Sequence, residues 1–202
     1  MKRILWDVDT QVDFVHADGK LAVPGAEDAV PAMAELVAWA RAEGIPHIAS
    51  ADDHELTDDE LSDTPDFRAT YPPHCLRGTR GAEKIPETRQ DDPVPLGLTP
   101  VPERYLEGRE FLLLKKSFDV FTNPHAERLL ELLDPEEVIV FGVATDVCDD
   151  AAVRGLLARG RNVTFVEGAS RGLDEARTAS CLADWRAAGV RFSSGVPLPM
   201  GS

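Results

Sequence analysis

Cysteine is scarce in this sequence, and its scarcity excludes two kinds of fold. The 202 residues contain three cysteines, Cys75, Cys148 and Cys181, and none of them forms a CxxC pair. An odd count without that spacing argues against a disulfide framework and against a zinc ribbon. We therefore expect free thiols and a cytoplasmic protein.

The sequence also has few basic residues and no long apolar run. Lys and Arg number 21 against 36 Asp and Glu, and the net charge of -15 repels phosphate backbones and anionic lipid surfaces. No apolar run reaches the roughly 18 residues of a membrane-spanning helix, and the N-terminal stretch turns acidic at Asp7 without an apolar signal region. We expect no nucleic-acid partner, no membrane partner and no export signal.

What the sequence does contain is an alternation of apolar runs with segments of helical period. Six runs predict strands, and four segments predict helices, one of them starting after Thr145. The strands are 3–9, 45–51, 110–115, 137–143, 161–167 and 190–194, and the other helices are 29–44, 123–133 and 173–189. This order is typical of one α/β domain over 1–202 with a mostly parallel sheet.

Helix-boundary residues support two of these predictions. Pro31 falls in the first turn of the helix 29–44, and Gly44 closes it. Asn123 is a predicted N-cap, with Pro124 at the first helical position. The segment from about 52 to 108 has no sustained period, and loops of that length in compact domains are usually functional or disordered.

Chemically useful side chains follow several of the predicted strands. Ligands bind at the carboxyl ends of strands in an open parallel sheet. Asp7, Asp9 and Asp13 follow the first strand, Lys115 and Lys116 the third, and Cys148 the fourth, at the start of a helix whose dipole favours a thiolate. An acid, a lysine and a cysteine at one edge predict a nucleophile site. Each of these residue types also has a common structural role: a cysteine as a small buried side chain, an aspartate as a helix cap and a lysine as a solvated surface charge. Periodicity alone does not show whether the three side chains meet.

Five motifs, in order along most of the chain, resemble the isochorismatase-like cysteine hydrolases, and specifically their nicotinamidase branch. They are "DVDTQVDF", "SADDHE", "YPPHCLRGTRGAEKIPE", "LLLKKSFDVFTNP" and "VIVFGVATDVC". The resemblance implies a three-layer αβα fold with a central sheet of about six strands. It implies a catalytic triad of Asp9, Lys115 and Cys148, with Lys116 as the alternative lysine. It also implies a cis peptide between Val143 and Ala144, and an oxyanion hole formed by the Ala144 and Cys148 amides.

The resemblance further implies a metal site and a substrate pocket in the segment 52–108. Asp52, His54 and His74 match the metal ligands, and they suit Zn²⁺ first, with Mn²⁺ or Fe²⁺ also compatible. Asp66 is a further candidate carboxylate ligand, one residue out of step with the relatives that have one. Phe14 and Tyr71 match pocket walls, while Asp53 and Tyr71 each stand where a tryptophan is usual. The family commonly forms homo-oligomers.

The function implied is hydrolysis of nicotinamide to nicotinate and ammonia through a thioester on Cys148. Two alternatives stay open: a related metal-binding hydrolase of another small amide, suggested by Asp53, and a non-catalytic metal-binding protein on this fold. The second alternative requires Asp9 and Lys115 to lie away from Cys148.

Overall fold

The centre of the computed structural model, which describes residues 2–197, is a parallel sheet of seven strands. The sheet confirms the α/β prediction and has seven strands where about six were expected. The additional one is the short edge strand β3, which lies inside the segment that has no sequence periodicity. The strands are β1 Arg3–Val8, β2 His47–Asp52, β3 Val94–Leu96, β4 Glu110–Lys115, β5 Glu137–Val143, β6 Val163–Arg171 and β7 Arg191–Ser193, in the order β3-β4-β2-β1-β5-β6-β7.

Helices cover both faces of this sheet, as the three-layer prediction requires. They are α1 Val12–Val15, α2 Ala26–Ala42, α3 Pro124–Leu133, α4 Cys148–Ala158 and α5 Glu175–Ala187. The buried side chains of α1 and α2 pack in one apolar cluster, and those of α3, α4 and α5 pack in a second cluster on the opposite face. No helix among the described residues is both long and apolar enough to cross a membrane.

The predicted helix boundaries are confirmed at three places and wrong at one. Asn123 accepts a hydrogen bond from the His125 amide at 2.9 Å, with Pro124 at the start of α3. Cys148 is the first residue of α4, and Gly44 ends α2 with a positive φ of 64°. Because α2 begins at Ala26, Pro31 lies in its second turn and not in its first.

The sheet reverses its direction of growth between β1 and β5. From β1 the chain builds β2, β4 and β3 on one side, and it then crosses over to build β5, β6 and β7 on the other. Such a switch point leaves a crevice at the carboxyl ends of the two strands. The irregular segment folds over this end through isolated bridges of His54 with Leu76 and of Leu61 with Tyr71.

Candidate active site

Asp9, Lys115 and Cys148 meet at the carboxyl ends of β1, β4 and β5. The Lys115 ammonium lies 2.8 Å from Asp9 Oδ2 and 3.9 Å from Cys148 Sγ. All three residues are buried, and Cys148 is 6% exposed. Lys116 points the other way and pairs with Asp58 at 3.0 Å, so Lys115 is the lysine of this cluster.

The charges around the cluster favour a neutral thiol and an easily protonated carboxyl group. Burial raises the pKa of Cys148 well above its ordinary value, and the nearby Lys115 charge offsets this only in part. Burial also raises the pKa of Asp9, and the Asp52 carboxylate adds to the shift. Burial alone would lower the pKa of Lys115, but Asp52 and Asp9 raise it well above normal. The thiolate expected at the start of α4 is therefore not favoured in the resting site, and Asp9 is placed to accept the thiol proton.

The turn before Cys148 has the backbone arrangement that the resemblance implies. The peptide bond between Val143 and Ala144 is cis. The Ala144 carbonyl accepts hydrogen bonds from the amides of Val147 and Asp149 at 2.9 and 3.1 Å. Asp146, within the turn, accepts a hydrogen bond from the Leu173 amide at 2.7 Å, which ties the turn to the loop before α5.

Four possible metal ligands converge beside the cluster: Asp52, His54, Glu60 and His74. One ligand atom from each lies within 4.8 Å of the other three, and all four residues are buried. His74 Nε2 lies 3.4 Å from Asp52 Oδ2, while His54 Nε2 lies 3.8 Å from the same oxygen and 3.8 Å from Glu60 Oε1. Two imidazoles and two carboxylates form a donor set that suits Zn²⁺ and other first-row divalent ions.

Hydrogen bonds orient both histidines toward the centre of this group. The His74 Nδ1–H donates to the Pro72 carbonyl at 2.8 Å, and the His54 Nδ1 pairs with the Asp58 carboxylate at 3.1 Å. Metal-binding histidines typically donate one ring N–H in this way and present the other nitrogen to the ion. His54 Nε2 and Asp52 Oδ2 are buried without a hydrogen-bond partner among the described residues. The residues present therefore fit a divalent metal ion.

Asp52 connects the metal-ligand group with the catalytic cluster. Its Oδ1 contacts Lys115, and its Oδ2 faces the two histidines. Burial alone would raise the pKa of Asp52, but Lys115 and the histidines hold it below its ordinary value. In Glu60, by contrast, burial and the Asp52 charge raise the pKa to about 7.

Glu60 is the ligand candidate that the sequence analysis missed, and Asp66 does not lie in the group. The exposed Asp66 carboxylate accepts hydrogen bonds from the amides of Arg68, Ala69 and Thr70, each at 2.9 Å, and so closes its own turn. Glu60 is 6% exposed, and its Oε2 accepts the Phe118 amide at 2.6 Å. No sequence signal singles out Glu60, because the acidic segment offers several carboxylates of the same kind.

A small cavity opens onto Cys148, and its walls include both pocket residues predicted from the sequence. Two larger surface cavities lie at the amino ends of the strands, away from this chemistry. The walls of the small cavity are Phe14, Leu21, Asp52, Glu60, Tyr71, His74, Ala144, Val147, Cys148 and Leu173. Asp53, at the position where relatives have tryptophan, is not a wall, because its carboxylate accepts the Arg77 Nε–H at 2.9 Å on the outer side of the loop.

Comparison with known proteins supports the family resemblance that the motifs and the site geometry indicate. The profile of the isochorismatase domain family matches residues 4–194. The chain is 32% identical to a nicotinamidase/pyrazinamidase of Mycobacterium tuberculosis, over 88% of this chain and 96% of that protein. It is 28% identical to a nicotinamidase of Escherichia coli, over 85% of this chain and 84% of that protein.

A solved structure has the same fold. The pyrazinamidase of Pyrococcus horikoshii in complex with zinc superimposes with a TM-score of 0.76 at 22% identity, covering 96% of this chain and 99% of that one. The superfamily resemblance predicted from the motifs is thereby confirmed: this chain belongs to the isochorismatase family.

Proposed function

We propose that this protein is a nicotinamidase-like amidohydrolase that converts nicotinamide to nicotinate and ammonia. The observation that carries the proposal is the meeting of Asp9, Lys115 and Cys148 next to a buried group of four metal-ligand candidates. The names of the two curated relatives support the same activity. The walls of the small cavity combine aromatic and apolar side chains with a few polar groups next to Cys148, a lining that suits an aromatic amide.

In the first half of the proposed reaction, Cys148 attacks the carboxamide carbon while its thiol proton passes to Asp9. The raised pKa of Asp9 makes its carboxylate a stronger base than an ordinary aspartate, which favours this transfer. The Ala144 and Cys148 amides stabilise the oxyanion, and one such donor typically contributes about 10²- to 10³-fold in rate. Asp9 returns the proton to the nitrogen, the C–N bond breaks, and ammonia leaves a thioester on Cys148.

In the second half, water cleaves the thioester. Asp9 accepts a proton from the attacking water, the C–S bond breaks to release the carboxylic acid, and Asp9 returns the proton to the leaving Cys148 sulfur. Lys115 keeps its positive charge throughout, because two buried carboxylates raise its pKa. Its role is to hold Asp9 and Asp52 in place and to offset negative charge as it develops at Cys148.

Asp52, His54, Glu60 and His74 are the residues that would hold a divalent metal ion, with zinc as the first candidate. When bound, such an ion would supply a Lewis acid beside the substrate site, able to take a ring nitrogen as a ligand. Three of the four, Asp52, Glu60 and His74, belong to the wall of the cavity.

The two alternative functions are less well supported by these positions. A preference for another small amide was suggested by Asp53, but Asp53 pairs with Arg77 outside the cavity. A non-catalytic role requires a displaced triad, whereas Lys115 lies within 4 Å of both partners.

Ammonia release from a panel of amides tests the proposal. With zinc present, nicotinamide should be hydrolysed faster than benzamide, which lacks the ring nitrogen, and faster than alkyl amides. Cys148→Ala should lose at least about 10³-fold in kcat. Cys181→Ala, on the buried side of α5, should leave kcat unchanged. Preferred hydrolysis of alkyl amides would favour the other-amide alternative, and bound zinc without any turnover would favour the non-catalytic one.

A further inference from the structure

A buried hydroxyl group contacts the proposed general base, and neither the resemblance nor the proposed mechanism assigns it a role. Ser50 lies on β2, next to β1, and is fully buried. Its Oγ–H donates to Asp9 Oδ1 at 2.6 Å. Among residues 2–197, this is the one hydroxyl group that hydrogen-bonds to Asp9.

Asp9 needs such a contact because its other partner is shared. Asp9 Oδ2 pairs with Lys115 at 2.8 Å, but the same ammonium also contacts Asp52 and lies 3.9 Å from Cys148 Sγ. A single shared cation leaves the carboxylate of Asp9 free to turn about its Cβ–Cγ bond. A second hydrogen bond, on the other oxygen, fixes the plane of the carboxylate.

The orientation of that plane matters for proton transfer. A carboxylate oxygen of Asp9 and Cys148 Sγ lie within 4.8 Å of each other, yet no hydrogen bond joins them. A base must be aimed at the proton that it removes, and small errors of placement are costly in rate.

The backbone of Ser50 is itself firmly held. Its carbonyl lies 3.5 Å from the ammonium of Lys84, which pairs with the buried Asp7 at 2.8 Å. Asp7 also accepts a hydrogen bond from the Thr10 hydroxyl at 2.8 Å, and the Thr10 and Thr88 hydroxyl groups are hydrogen-bonded to each other at 2.6 Å. The hydroxyl that contacts Asp9 therefore projects from a rigid part of the sheet.

We propose that Ser50 is a positioning residue that orients the carboxylate of Asp9 toward Cys148; this rests on the proposed function. Replacing Ser50 with alanine removes the hydrogen bond but leaves Asp9, Lys115 and Cys148 in place. A hydrogen bond to a charged group is strong enough for its loss to change a rate by about 10- to 100-fold.

The test compares Ser50→Ala with Thr88→Val, a matched control that removes a buried hydroxyl from the same polar network without touching Asp9. Ser50→Ala should lower kcat for nicotinamide by about 10- to 100-fold with KM changed less than about 2-fold, while Thr88→Val keeps kcat. Ser50→Thr, which retains the hydroxyl, should recover most of the rate. Thermal unfolding and circular dichroism establish that each variant is folded.

Alkylation of Cys148 by iodoacetamide, followed at the peptide level by mass spectrometry, provides a second readout without any amide. It should be about 10-fold slower in Ser50→Ala than in the wild type and unchanged in Thr88→Val. If the wild type hydrolyses no amide, the proposed function fails, but the alkylation rates still test Ser50. A Ser50→Ala variant with wild-type kcat and alkylation rate, or equal losses in both variants, would overturn the inference.

Discussion

An acidic side chain lies in the interior directly after the proposed nucleophile. Asp149, in the first turn of α4, is fully buried, and neither of its carboxylate oxygens has a hydrogen-bond partner among the described residues. Burial raises its pKa well above the ordinary value, and the Asp9 charge adds to the shift. The folded protein therefore favours a neutral carboxyl group at this position, whereas the unfolded chain ionises near pH 4.

A neutral Asp149 in the folded protein makes stability fall as pH rises. Above about pH 4 the unfolded chain releases the Asp149 proton and the folded protein keeps it, so this group lowers stability as pH rises. Asp149→Asn removes this titratable group. The unfolding free energy of the variant, relative to that of the wild type, should therefore increase between pH 4.5 and 7.5. The increase is at most about 1.4 kcal/mol per pH unit.

Urea unfolding of both proteins at the two pH values measures this difference. The exposed Asp63→Asn serves as a control, which should show no trend in relative stability. A constant difference between Asp149→Asn and the wild type at both pH values would mean that Asp149 is ionised in the folded protein.

At the scale of single elements, the approach of β5 to β1 decides where the site lies. Gly142, near the end of β5, has a φ of 142°, and a Cβ atom at this position would lie 2.1 Å from the Val8 carbonyl oxygen. Only glycine allows the two strands to approach so closely. The next residues lead to Cys148, and Val8 leads to Asp9, so this contact sets the distance between thiol and base.

Gly142→Ala should therefore destabilise the fold and impair the site together. The clash is with backbone and not with a flexible side chain, so we expect a loss of about 3 kcal/mol or more in unfolding free energy, and reduced kcat in any folded fraction. Gly97→Ala is the matched control, because nothing lies within 4 Å of its added Cβ atom, and it should change stability by less than about 0.5 kcal/mol. Wild-type stability and turnover in Gly142→Ala would contradict this account of the strand contact.

The elements also explain which parts of the fold could be predicted from sequence. β5 is buried along its whole length, and β4 alternates buried with half-buried residues. Both strands therefore have a hydrophobic pattern that can be recognised in the sequence. The edge strand β3 has three residues, one of them Pro95, and pairs only with β4. So short a strand has no period to detect. Its existence depends on β4 being already in place.

At the scale of the whole molecule, the site is assembled from the ends of separate strands and one long loop. The triad could be predicted because the carboxyl ends of parallel strands meet at one edge, and Asp9, Lys115 and Cys148 each follow a recognisable strand. Glu60 could not be predicted as a metal ligand, because it lies among other acidic residues in a segment without periodicity. Only the folded path, with Leu61 bridged to Tyr71 and Glu60 bonded to Phe118, brings this carboxylate inward.

The same assembly predicts that metal binding and global stability are linked. The four ligand candidates come together only in the folded chain, so an ion that binds them stabilises the fold by mass action. Zinc at 100 times its dissociation constant should add about 2.7 kcal/mol, which for a chain of this size raises Tm by about 5 to 10 °C. Differential scanning calorimetry of chelator-treated protein, with and without added zinc, measures the shift.

Two variants assign this stabilisation to the correct carboxylate. Glu60→Gln removes one negative ligand from the buried group, so the zinc-dependent rise in Tm should become much smaller. Asp66→Asn changes a carboxylate of the same loop that caps its own exposed turn, so the protein can lose some basal stability but should keep the full zinc-dependent rise. Because each variant is compared with itself, with and without zinc, the different basal stabilities do not affect the result. Equal zinc-dependent shifts in both variants would exclude Glu60 as a ligand, and a shift lost only in Asp66→Asn would show that the sequence-based candidate was the correct one.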